Sequence, residues 1–126
     1  IGVVMLYPGI SAEIIKNQLQ QPVKAMILQS YGVGNAPQDD ALLTSLKEGI
    51  NQGITILNCT QCFRGRVNMD GYATGNALAE IGIVSGADMT IEAALTKLHY
   101  LLSQDLSLSK MQKLLQKNLR GELTPP

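Results

Sequence analysis

Short unbroken apolar runs alternate along this chain with stretches of helical periodicity, and no other feature narrows the available folds as far. The runs span residues 1–7, 24–29, 54–58 and, more weakly, 83–86. Unbroken runs, unlike strict apolar–polar alternation, suit strands covered on both faces, as in parallel sheets. After the first run, Ser11 is placed to cap a helix carrying Ile14, Ile15 and Leu19 on one face. After the second, Asp39 or Asp40 is placed to cap another, with Leu42, Leu43, Leu46 and Ile50 inward and Gly53 ending it. The C-terminal third reads as helical. Thr90 can cap a helix with Ile91, Ala94, Leu95, Leu98 and Leu102 on one stripe. Ser107 or Ser109 can start a last helix with Met111, Leu114, Leu115 and Leu119 inward, and Gly121 is placed to end it. A β-α-β-α-β order predicts a parallel sheet with right-handed crossovers. The expected class is α/β: a small three-layer domain in which about four helices flank a four-stranded, mainly parallel sheet.

The 126 residues make one domain, 1–126, with no internal repeat. Ten basic residues balance ten acidic ones, which gives no reason to expect nucleic acid or an anionic membrane as partner. With no Trp and a single Phe, Phe63, the chain is also poor in base-stacking platforms. Two cysteines, Cys59 and Cys62, make no disulfide framework and suit a reduced, cytoplasmic compartment. No apolar run approaches the ~18 residues that span a bilayer, and no signal-peptide pattern opens the chain. Ile1 enters an apolar run at once, so the chain is expected to be a segment of a larger protein.

Ligands of open α/β sheets sit at the carboxyl ends of the strands. Three loops fall there, at residues 8–10, 30–38 and 60–75. In the second, Gly32 and Gly34 let the backbone turn tightly and approach a ligand or another chain. Asn35 adds a carboxamide, both donor and acceptor. The same residues suit a plain strand-to-helix turn with a capping Asn, and pattern alone does not separate the two. Pro37 stands where a dinucleotide fingerprint would have its third glycine. Cys59 and Cys62 lack the further ligands that zinc needs, and the residues after them do not read as a helix. They are expected to be ordinary thiols, and no metal or cofactor is expected. His99 is expected to be a partly buried, hydrogen-bonded histidine. Arg64 and Arg66 suit either an anion site or a solvated or interchain role. Asp88, Thr90 and Lys97 read as a helix start with its solvated face rather than as a nucleophile and base. No catalytic residue is expected, and the residues by themselves describe a ligand- or partner-binding α/β domain.

Three stretches, Tyr31–Pro37, Asn58–Cys62 and Val67–Leu78, together resemble the C-terminal domain of bacterial cytoplasmic, type I L-asparaginases. Residues 86–90, Glu92-Ala93, Thr96-Lys97-Leu98 and the tail Asn118–Glu122 continue the likeness over essentially the whole chain, in one order. The resemblance implies a flavodoxin-like arrangement and a parent enzyme that hydrolyses L-asparagine to aspartate and ammonia. It implies catalytic threonines on an N-terminal domain, whose Thr-Gly-Gly-Thr and His-Gly-Thr-Asp-Thr motifs do not occur here. It also implies a homodimer or homotetramer in which this domain completes a neighbouring subunit's active site. Asn35 would then orient the amino or carboxylate end of the substrate.

The resemblance further implies an effector pocket for asparagine that includes Thr60 and Cys62. The family pocket also uses an arginine at the position of Gln29. A neutral amide does not replace a guanidinium fork on a carboxylate, so effector binding is expected to be weak or lost. Two rivals share the architecture or size: a glutamyl-tRNA amidotransferase subunit, and a stand-alone regulatory domain that binds a small amino acid.

Overall fold

The computed structural model describes residues 1–125. Four strands form one sheet in the order of the chain: β1 (Gly2–Met5), β2 (Ala25–Ser30), β3 (Thr55–Thr60) and β4 (Val84–Ser85). Every neighbouring pair is parallel, with Val3 opposite Ile27, Ile27 opposite Leu57, and Leu57 opposite Val84. All six residues of β3 are buried, as its unbroken apolar run predicts for a strand covered on both faces. β4 is shorter than expected, because the chain turns at Gly86 directly against Asn58 and Cys59.

The five helices are α1 (Ala12–Gln18), α2 (Asp40–Asn51), α3 (Ala73–Glu80), α4 (Ile91–Leu102) and α5 (Leu108–Leu115). The first three are crossovers. With strands in sequential order, crossovers of one hand all fall on one face of the sheet. On that face Val4, Leu6, Met26, Leu28 and Ile56 pack with Ile15, Leu42, Leu46 and Leu78. The opposite face has no crossover left to cover it, and α4 and α5 do so. There Ala25, Ile27, Leu57 and Cys59 meet Ala94, Leu98, Leu101, Met111 and Leu115. The result is the three-layer α/β domain expected, and no helix among the described residues is long and apolar enough to cross a membrane.

Local signals set most boundaries. Ser11, Asp39, Thr90 and Ser107 each accept a hydrogen bond from a backbone N–H of the first turn they cap. Gly53, at φ +90°, follows α2 as foreseen. Four expectations are corrected. α3 begins inside a stretch read as loop and makes a fifth helix among the described residues. Ile14, assigned inward, is exposed. α5 stops at Leu115 instead of running to Gly121, because Lys97 draws off the carbonyls of Leu115 and Lys117 at 2.9 and 2.6 Å. Lys97 itself, assigned to a solvated face, is buried, with its Nζ 2.6 Å from Glu122 Oε1.

Candidate functional site

The loop after β2 closes on itself. Tyr31 N–H donates to the Asn35 carbonyl at 2.8 Å, and Asn35 N–H donates to the Tyr31 carbonyl at 2.9 Å. This short hairpin holds Gly32 and Gly34 at positive φ, within the tight turn that the two glycines were expected to permit. At Gly34 a side chain is also excluded, since a Cβ would lie 2.9 Å from Val67 Cγ1. Asn58 Nδ2 donates to the Gly34 carbonyl at 3.1 Å, and Asn68 N–H to the Val33 carbonyl at 2.7 Å. The loop is therefore bolted to β3 and to the chain that follows it. Asn35 is not a helix cap; Asp39 has that role. The carboxamide of Asn35 instead accepts from Thr74 Oγ1 at 3.2 Å, across from the first turn of α3.

The residues assigned to an effector pocket meet only in part. Thr60 Oγ1 donates to the Gly32 carbonyl at 2.5 Å and accepts from Cys62 N–H at 3.1 Å. Gln29 pairs in register with Met5 and Cys59, and Thr60 with Ser30. Since side chains alternate along a strand, Gln29 leaves the sheet on the face opposite Thr60. Gln61, which the sequence pattern did not single out, ties this end together: its Nε2 donates to the carbonyls of Leu6 at 2.6 Å and Gln29 at 2.9 Å.

The remaining candidates lie apart. Cys59 is buried in β3, and burial pushes its thiol up to about 12. Cys62 is exposed on the loop beyond. His99 is exposed in the last turn of α4, not partly buried as expected. Arg66 Nη2 donates to the Thr124 carbonyl at 2.8 Å, and Asp88 accepts from Thr124 N–H at 2.8 Å. That arginine ties loop to tail within the chain. Thr90 caps its own helix while Lys97 is locked on Glu122, so these residues form no nucleophile–base pair.

Sequential strand order also leaves no reversal at which a crevice would open at the carboxyl edge. The domain thus offers an ordered polar loop at that edge, beside an open cleft lined by Ala36, Pro37, Thr74 and Ala77. Fold and loop together define a parallel α/β domain with an ordered polar loop at the carboxyl edge of its sheet.

The chain belongs to the glutaminase/asparaginase C-terminal domain family, whose model matches residues 1–115. It is 63% identical to L-asparaginase 1 of Escherichia coli K12 over 125 residues, 99% of this chain and 37% of that one. It is 50% identical to the 60 kDa lysophospholipase of Mus musculus over 127 residues, all of this chain and 22% of that one. A glutamyl-tRNA(Gln) amidotransferase polypeptide of Methanobrevibacter smithii is more distant, at 35% identity over 97% of this chain and 28% of that one. The solved structure of L-asparaginase I from Vibrio cholerae superposes with a TM-score of 0.94 at 58% identity, covering 98% of this chain and 37% of that one. The chain therefore spans little more than a third of the length of these two asparaginases.

Proposed function

We propose that this chain is the C-terminal domain of a cytoplasmic L-asparaginase that hydrolyses L-asparagine to L-aspartate and ammonia. Its part is to lend Asn35 to an active site whose nucleophile lies on an N-terminal domain of a neighbouring subunit, within a homodimer or homotetramer. The observation that carries this reading is the closed, buttressed loop that sets Asn35 at the open carboxyl edge of the sheet. A loop backbone held so firmly at the edge of the sheet suits a site completed by another surface. Exposed apolar side chains support the same view: Tyr7, Val33, Phe63 and Tyr72 all stand on the loops at that edge.

Asn35 has no group able to attack an amide, so its contribution is orientation. In the full-length protein, Asn35→Ala is expected to lower kcat/KM for asparagine by roughly 10- to 100-fold while the thermal melt stays in place. Kinetics equal to the parent would remove Asn35 from the site. Effector control by asparagine is proposed to be weak or lost, because Gln29 offers no charge to a carboxylate and the Thr60 hydroxyl is already held by Gly32 and Cys62.

A further inference from the structure

Hydroxyls on the helices of this chain mostly serve the nearby backbone. Those of Ser11, Thr90 and Ser107 cap, and that of Ser45 bonds back to the Ala41 carbonyl. Thr74 does neither. It sits in the first turn of α3, where the cap residue Tyr72 makes no side-chain bond, and its Oγ1 reaches Asn35 Oδ1 at 3.2 Å, 39 residues away in sequence. Thr74 is half-buried, so water competes poorly for that hydroxyl.

The backbone of the Asn35 loop is already determined by the Tyr31–Asn35 pair and by Asn58 on Gly34. The freedom left at Asn35 is rotation of its carboxamide, a terminal torsion that is broad and two-fold on its own. In the observed rotamer the Thr74 hydroxyl donates to Oδ1, which turns Nδ2 away from it. We infer that Thr74 is a positioning residue for Asn35: its hydroxyl holds Oδ1, so that the Nδ2 amine is presented to a hydrogen-bond acceptor. That acceptor is a carboxylate or carbonyl oxygen, supplied either by the bound amino acid or by the surface that closes over it. The inference rests on the reading of Asn35 proposed above and adds the donor end of its amide as the recognising group.

The test uses the full-length protein with Thr74→Val, Thr74→Ser, Asn35→Ala, Asn35→Asp and the Thr74→Val/Asn35→Ala double variant, compared by asparagine kinetics and thermal melts. Thr74→Val is expected to lower kcat/KM by about tenfold, the scale of one oriented hydrogen bond, and Thr74→Ser to restore most of it. Asn35→Asp, which keeps an acceptor for Thr74 but removes the amine, is expected to fall at least as far as Asn35→Ala. The double variant should be no worse than Asn35→Ala alone, since both changes remove one function. The acceptor's source is read from β-alaninamide, which lacks the α-carboxylate and has no carbonyl oxygen in its place. If the substrate supplies the oxygen, Asn35→Ala penalises asparagine more than β-alaninamide; if the closing surface does, it penalises both alike. Wild-type kinetics for Thr74→Val beside an impaired Asn35→Ala would overturn the inference and leave the reading of Asn35 intact. So would equal losses for Thr74→Val and Thr74→Ser, or additive losses in the double variant. Wild-type kinetics for Asn35→Ala would overturn the reading beneath it.

Discussion

Lys97 shows what single residues conceal in a linear reading. Its ammonium lies within 2.6–2.9 Å of three oxygens, the Leu115 and Lys117 carbonyls and Glu122 Oε1, and these satisfy its three donors. Burial works to raise the Glu122 pKa, but Lys97 and the N–H groups of Arg120 and Leu119 outweigh it and hold the carboxyl at about 2. The signal was present: Ala94, Lys97, Leu98 and Leu101 share one helical stripe, and a lysine there is either mispaired or paired with something distant. The partner, 25 positions on in the tail, carries no mark of its role. Because the folded carboxyl titrates far below its ordinary 4.5, its contribution is complete above that pH and is lost as pH falls towards 2. Urea titrations of the parent should therefore show stability declining from about pH 4.5 downward, and Glu122→Gln should flatten that decline. Lys97→Ala at pH 7 is expected to cost about 2 kcal/mol, because it leaves a half-buried carboxylate and two carbonyls without their donor.

Among the elements, legibility followed the number of large apolar residues each helix aligns. α2 sets Leu42 and Leu46 against the core behind an Asp cap, and α4 aligns Leu98 and Leu101 behind a Thr cap. Both helices were readable from spacing, although the stripe read for α4 took Leu102 where the structure buries Leu101. α3 buries only Gly75 and Leu78, lacks a side-chain cap, and opens with Ala-Thr-Gly-Asn, residues that serve loops as readily as helices. What holds it in place is a close approach: a Cβ on Gly75 would meet the Met69 carbonyl oxygen at 2.9 Å and its Cα at 3.1 Å. Helix propensity favours alanine over glycine by about 1 kcal/mol, and backbone crowding opposes it here. Crowding should win, because backbone yields less than a flexible side chain. Gly75→Ala is expected to destabilise by about 1–3 kcal/mol in chemical denaturation, and a stabilised variant would show that Met69 moves freely.

At the scale of the whole molecule, strands laid down in sequential order commit all three crossovers to one face, and α4 and α5 are needed to cover the other. The same order leaves the carboxyl edge without a strand reversal. Introducing Gln29→Arg into the full-length protein is expected to add cooperativity to the asparagine saturation curve, and an unchanged curve would count against the proposed loss of the effector site. The sequence alone determined the strands, the helices α1, α2, α4 and α5, the caps at Ser11 and Thr90 and the family, since each is written in neighbouring residues or in local spacing; it left Asp39 and Asp40 as alternative caps of α2. Tertiary structure alone decided that Thr74 meets Asn35, that Lys97 meets Glu122, and that Gln29 and Thr60 leave the sheet on opposite faces. Those pairings join residues separated by 25 to 39 positions, or depend on register between strands, and spacing along one element carries no information about either.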